Sequence, residues 1–429
     1  MKIDNSPPRG TRDLLPTTVA VRDHVLSAIT EVYHRYGYQR IETPALEDIT
    51  RLTGGQGGEN EKLIFKVLRR GLGDPVEAGT SLSELVDLGL RFDLTVPLTR
   101  FYGNNHAALP LPFRSFQIGP VWRAERPQKG RYRQFYQCDI DLIGEASVLA
   151  EVELIEATTE ALATVGLSGT TVRLSDRRFL SALARSAGIP EGAWDGFFIG
   201  LDKLDKIGWD GVRTELVEQR GLPASAVTTA LEKIAGLQGL DATKVADAIA
   251  STVPTLDEGI IQDLATTTGC LDQIATAREL RWEFDPTLVR GMGYYTGQIF
   301  EISHPSTSSS VAGGGRYDRL IGRSLGKDVP ACGFSIGFER IVDLLEQAPR
   351  RDVVAVLYEA EVPVADALAM AREVRAEGRT VTVIRRAGKF GAQLRRLETW
   401  GITSFVHLRA DRDPHSRPEE RPLGQQPQT

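Results

Sequence analysis

Cysteine is scarce in this 429-residue chain. Cys138, Cys270 and Cys332 lie far apart with no CxxC pair, which argues against a disulfide framework and against a cysteine-based zinc site. Long apolar runs are missing too. Nowhere do about 18 apolar residues follow one another, and the opening MKIDNSPPRGTRDLLP has no apolar stretch of the secretory type. The expectation is a soluble, cytoplasmic protein with no membrane partner. An excess of positive charge is absent: 51 Lys and Arg against 57 Asp and Glu give a formal net charge of −6. That balance disfavours a chain that coats nucleic acid non-specifically, but it leaves room for a local basic groove. Neither GxxxxGK[ST] nor a dinucleotide-binding fingerprint occurs. No internal repeat, catalytic triad or metal-ligand cluster stands out.

What is present is ordinary for a soluble globular protein, with 41% hydrophobic and 25% charged residues. The length suggests roughly two to four domains. Val21, Val25, Ile29, Val32 and Tyr36 form one stripe at spacings of three and four, which predicts a helix over residues 19–36 ended by Gly37. Tyr38 to Thr43 then reads as a strand closed by Pro44. LRFDLTVPLTRF (90–101) and PFRSFQIGPVWRAE (112–125) read as strands. RPQKG supplies turn chemistry for a long β-hairpin.

From 146 to 280 the texture turns to Ala, Leu and Glu-rich helical patterns. Strand character returns at WEFDPTLVRGMGYYTGQIFEIS, followed by GGGRYD and GFSIGFER. A helical insertion over 146–280 would therefore split a β-rich core into 1–145 and 281–348. Over 349–410, VVAVLY, VADALAMAREVRAEG, TVTVIR, KFGAQLRRLETWG and SFVHL alternate as β-α-β-α-β, which predicts a small α/β domain with a parallel sheet. Its charge is balanced, with 13 Lys or Arg against 11 Asp or Glu from residue 351 onward. Residues 411–429 hold one aliphatic residue, Leu423, and are predicted to be a disordered tail.

The stretch RAERPQKGRYRQFYQCDID (123–141) carries the most chemistry. Arg123, Arg126, Lys129, Arg131 and Arg133 precede an aromatic strand that holds Gln137, Asp139 and Asp141. Alternation puts Phe135, Gln137, Asp139, Asp141 and Ile143 on one face. That face is either half exposed to water or the floor of a pocket, in which case its acceptors need partners. A small cationic or amino-bearing ligand would supply them. Arginines at the hairpin mouth suit phosphate, so the two ends together describe a site for an amino acid beside a phosphate. In RFDLT, Asp93 and Thr95 alternate onto one strand face, as a further carboxylate and hydroxyl for an ammonium group or as a plain polar edge. In VRGMGYYTG, Arg290 precedes two glycines and Tyr294 and Tyr295 follow, serving either packing or a ligand. GGGRYD is only weakly like a phosphate-cradling loop. GFSIGFERI reads as a strand-to-helix turn with Arg340 exposed early on the helix.

Taken in order, these segments resemble the class II aminoacyl-tRNA synthetases and, within them, the histidyl-tRNA synthetase family. PRGTRDLLP (8–16) is similar to that family's N-terminal segment, and residues 19–44 to the dimer-forming first class motif. RAERPQKGRYRQFYQCDID resembles the second motif and GFSIGFER the third. VRGMGYYTG and AGGGRYDRL resemble the two signatures peculiar to histidyl enzymes, and the likeness runs over roughly residues 7–410.

The resemblance implies an α+β catalytic core on an antiparallel sheet, with a helical insertion and a small C-terminal α/β domain that usually binds the anticodon. It implies that Asp93, Thr95 and Gln137 hold the α-ammonium of histidine. Asp141 and Tyr295 would bracket the imidazole, with Tyr294 beside them. Arg123 would grip the α-phosphate of ATP, Arg340 the far end of the triphosphate, and Glu125, Arg131 and Tyr132 would position the nucleotide. Arg290 would face Arg123 and stabilise charge as the carboxylate attacks. Gln128, Lys129 and Arg131 would touch the acceptor end of the histidine tRNA. ATP would enter as substrate with Mg2+, no side chain is assigned as a metal ligand, and the assembly would be a homodimer. Asp139 receives no role. Two departures stand out: Gly293 replaces a common Asp, and the C-terminal domain is short. The competing expectation is a paralogue without tRNA charging. It would be either a histidine-binding regulatory subunit of ATP phosphoribosyltransferase or a histidine activator for another acceptor.

Overall fold

The computed structural model describes residues 4–54, 60–73, 79–127, 131–240, 242–289, 294–345, 352–411 and 418–424. The chain forms two compact units, Met1–Glu346 and Gln347–Thr429. The first opens with the helix Pro16–Arg35, which has Pro in its first turn, where the missing N–H costs nothing. It buries Val25, Ile29, Val32 and Tyr33, and Gly37 turns the chain at a φ of 81°. The strand expected over 38–43 shrinks to β1 (Gln39–Arg40). The carbonyls of Thr43 and Pro44 are taken by Arg91 Nη1 at 2.6 and 3.3 Å, so they are not available to a ladder.

β2 (Leu46–Asp48), β3 (Lys66–Leu68) and β4 (Val86–Leu90) form a small sheet in the order β2-β4-β3. Here the strand expected over 90–101 is corrected: β4 stops at Leu90 and the helix Thr95–Asn105 follows. Asp93 starts that helix, its Oδ1 accepting from the Val96 N–H at 3.0 Å. Pro97 is tolerated in the first turn. Asp93 and Thr95 are thus residues of a helix start and not of an alternating strand.

β5 (Phe113–Trp122) and β6 (Gln134–Ile143) make the expected antiparallel hairpin, in register from Phe113 opposite Ile143 to Trp122 opposite Gln134. The helix Leu149–Thr164 then packs into the core beside the first helix. The helical block expected from 146 to 280 is interrupted by β7 (Thr171–Asp176), a full member of the main sheet. The helices that follow it, from Arg177–Ser186 to Glu258–Ala277, lead to β8 (Arg281–Phe284). β9 (Gln298–His304), β10 (Thr307–Arg316) and β11 (Ala331–Gly337) complete an eight-stranded sheet of order β1-β5-β6-β11-β10-β9-β7-β8. Its pairings are antiparallel except for the outermost ones, β1 with β5 and β7 with β8. This is the antiparallel α+β core expected for the fold class.

In the second unit β12 (Val353–Tyr358), β13 (Thr380–Arg385) and β14 (Ser404–Leu408) are parallel, joined by the helices Val364–Ala376 and Phe390–Thr399. The disordered tail expected from residue 411 needs correcting as well. β15 (Glu420–Pro422) pairs antiparallel with β14. Glu420 accepts two 2.6 Å bonds from Arg379 and another from the Ser404 hydroxyl. Side-chain ion pairing therefore holds a strand that has almost no apolar content.

Candidate functional site

The site is built around β6. Asp139 and Asp141 are only 4% and 3% exposed, so the face they share with Phe135 and Gln137 is a covered floor and not a wet edge. All four line one cavity of about 480 Å³, within the range of small-molecule sites. Across the sheet, Gly337, Ser335 and Gly333 of β11 stand opposite Gln137, Asp139 and Asp141. Gly333 has no room for a side chain, since a Cβ there would sit 2.1 Å from Asp141 Oδ1.

The structure brings the other expected residues to the same cavity. Asp93 and Thr95 reach it from the start of their helix, although they were expected on a strand. Arg123, Glu125, Arg131 and Tyr132 line it from the hairpin mouth. Tyr294 and Tyr295 enter ahead of β9, and Arg340 enters from the helix Phe338–Leu344. Gln128, Lys129, Arg290 and Gly293 lie outside the described residues.

One end of the cavity is acidic. Burial raises Asp93, while the N–H groups of Val96 and Thr95 and the charge of Arg123 pull it down. Its Oδ2 is buried with no hydrogen-bond partner. Burial also raises Asp139 well above the ordinary carboxyl range, and the neighbouring Asp141 adds to that. Asp141 is pushed up to about 7, by burial first and also by Asp93, against a hydrogen bond donated by the Tyr317 hydroxyl. Gln137 Oε1 is a further buried acceptor without a partner. Such a cluster suits a cation that brings its own donors.

The other end is cationic. Arg123 donates from Nε to the Phe92 carbonyl at 3.0 Å, with its guanidinium 5.1 Å from the Phe135 ring centre. Arg340, expected to be exposed, is half-buried and donates to the Ser310 carbonyl. The two arginines thereby have defined orientations, which a planar phosphate-gripping fork needs. Among the described residues no group of three His, Cys, Asp or Glu is arranged to hold a metal ion.

Several residues at the site were not singled out in the sequence. Tyr317 is one: GGGRYD is the end of β10 and its continuation, not a phosphate loop. Arg316 of that stretch donates to Glu151 on the far side of the sheet. Tyr294 lies edge-on to Tyr317, ring centres 6.1 Å apart, and 4.7 Å from Tyr295. Glu339 is another. Its Oε2 accepts from Arg12 at 2.5 Å and Arg22 at 2.6 Å, and its Oε1 from the Tyr136 N–H. Arg12 in turn donates to the Tyr132 hydroxyl at 2.9 Å, so PRGTRD is bound to the cavity rim. Alternation in GFSIG was the available signal for Ser335; nothing local marked Glu339.

The chain is similar to known proteins. The sequence profile described as histidyl-tRNA synthetase matches residues 10–341. A histidine–tRNA ligase of Leifsonia xyli subsp. xyli is 51% identical over 417 residues, 95% of this chain and 96% of that protein. A probable histidine–tRNA ligase of Tropheryma whipplei (strain Twist) is 45% identical, over 81% of this chain and 82% of its own. The crystal structure of histidyl-tRNA synthetase from Nostoc sp. PCC 7120 matches with a TM-score of 0.78 at 26% identity, covering 96% of this chain and 93% of that one. A profile that runs through the hairpin, both tyrosines and the β11 turn leaves one conclusion: the chain belongs to the histidyl-tRNA synthetase family.

Proposed function

We propose that this chain activates L-histidine with ATP and transfers it to the 3′ end of the histidine tRNA. The observation that carries the reading is one cavity with unsatisfied buried acceptors at one end and oriented arginines at the other. Asp93, Thr95 and Gln137 receive the α-ammonium, while Asp141, Tyr294 and Tyr295 surround the imidazole. ATP lies toward Arg123, Glu125, Arg131, Tyr132 and Arg340. Glu125 would be the acid at the triphosphate end to hold a Mg2+ ion entering with ATP, because the Glu339 carboxylate is committed to two arginines and a backbone N–H.

In the first step a histidine carboxylate oxygen forms a bond to the α-phosphorus while the bond to pyrophosphate breaks. Arg123 and Arg290 hold the charge that develops there, so catalysis is by placement and fixed cations and no side-chain nucleophile takes part. In the second step a ribose hydroxyl of the tRNA attacks the acyl carbon and AMP leaves. Gln128, Lys129 and Arg131 serve the acceptor end, and the Gln347–Thr429 unit serves the anticodon. Leu15, Val19 and Leu46 leave apolar surface exposed around the first class motif, which supports a homodimer, and a cytoplasmic setting fits the reaction. A histidine-binding regulator would need only the acidic end, and Arg123 and Arg340 would then have no ligand.

The test is histidine-dependent exchange of pyrophosphate into ATP, followed by charging of the histidine tRNA. Exchange without charging would favour a different acceptor; no exchange would end the activation reading. Arg290→Ala is expected to lower exchange by about 10²–10³-fold while calorimetry still detects histidine binding.

A further inference from the structure

Asp139 has no part in the steps above, yet it is buried in the middle of the cavity floor. On β6 it falls between Gln137 and Asp141, and on β11 it faces Ser335. Gln137 Nε2 donates to Ser335 Oγ at 2.9 Å and stands 3.4 Å from Asp139 Oδ1.

The chemistry of these three groups sets a direction. Ser335 Oγ and Asp139 Oδ1 are both acceptors on the side of the amide nitrogen. Together they turn that nitrogen toward β11. What remains is the amide oxygen, Gln137 Oε1, buried and without a partner. Asp93 Oδ2 is in the same condition in the same cavity. With the amide turned the other way, an NH2 group would face an incoming ammonium, donor against donor.

We propose that Asp139 and Ser335 are positioning residues: together they fix the Gln137 amide so that its oxygen accepts from the α-ammonium of the bound amino acid. This deepens the histidine site proposed above and rests on it. Burial and the charge of Asp141 raise Asp139, and Asp93 adds to them; Ser335 and Arg123 oppose. An arriving ammonium acts on the opposing side, favouring the ionised Asp139 that accepts from the amide.

Two competitive inhibitors separate this role from general damage to the cavity. Histidinol has the ammonium and the imidazole; imidazolepropionate has the imidazole and a carboxylate but no ammonium. In pyrophosphate exchange, Asp139→Ala and Ser335→Ala are each expected to weaken histidine and histidinol roughly tenfold, the value of one lost charge-assisted hydrogen bond. The KM for ATP and the inhibition constant of imidazolepropionate should stay at wild-type values. Because both residues accept from the same amide nitrogen, the double variant should weaken histidinol by less than the two single effects combined. Wild-type histidinol binding by Ser335→Ala overturns the positioning role, as does equal weakening of both inhibitors. Ser335→Ala removes a single oxygen and decides the matter even if Asp139→Ala does not fold. A wild-type protein that shows no histidine-dependent exchange refutes the histidine site itself, a different result from unaltered variants in an active protein.

Discussion

The two faces of the main sheet treat buried charge in opposite ways. On the core face, Glu151 and Arg316 meet through two 2.6 Å bonds, and Arg316 also donates to the carbonyls of Glu145 and Ser147. Burial raises Glu151, but Arg316 pulls it back by hydrogen bond and charge. On the cavity face, Asp93, Asp139 and Asp141 are buried as deeply, and Arg123 acts on Asp93 and Asp139 by charge without an ion pair to either. A buried ion pair closes on itself and serves the fold. Three carboxylates without a matching cation store an unfavourable desolvation that a ligand relieves.

The strongest way to break the comparison is to make the core face resemble the cavity face. Arg316→Met leaves Glu151 buried and alone, and is expected to cost about 3–5 kcal/mol of unfolding free energy, read by urea denaturation. A loss below about 1 kcal/mol would show that water already solvates the pair.

The reverse change sharpens it. Asp141→Asn removes a buried charge and is expected to lower kcat/KM for histidine by roughly 100-fold, equivalent to about 3 kcal/mol, in steady-state exchange kinetics. Stability should move the other way. Asp141 sits near 7 in the folded chain against an ordinary 3.8. The folded protein therefore holds a proton that the unfolded chain gives up. That contribution is full below the unfolded value and is lost as pH rises through about 7. Ligand-free wild type should lose melting temperature as pH rises from about 4 to about 7 and level off above that, and Asp141→Asn should lose less. Equal pH profiles would remove Asp141 as the titrating group.

The smallest effect belongs to the second unit. Glu420→Ala breaks a partly exposed pair with Arg379 and is expected to cost about 0.2–1 kcal/mol, visible as a slight shift in its melting. A shift as large as that of Arg316→Met would mean that exposure does not separate the two kinds of pair.

Much of this arrangement was legible in the sequence because a ten-residue strand enforces a period of two. The parity of Gln137, Asp139 and Asp141 followed directly from it. Asp93 and Thr95 were expected beside the cavity they line but on the wrong element, because FDLTVPL alternates like a strand while Asp93 accepts from the first turn of a helix. β7 alternates too, yet its six residues were lost among Ala- and Leu-rich neighbours. The Arg12–Glu339 contact joins residues 327 apart, and no local pattern carries such information. β15 escaped because ion pairs hold it, and a three-residue strand has no period to detect.

That short strand also bears on how the molecule behaves in a crowd. β14 without its neighbour would show a row of bare N–H and C=O groups flanked by Phe405 and Val406, a ready template for a foreign chain. β15 covers the row, and Pro422, with no N–H to offer, discourages any further strand from adding beyond it. The short strand thus works as a hem on that edge of the sheet, closing it to a foreign chain.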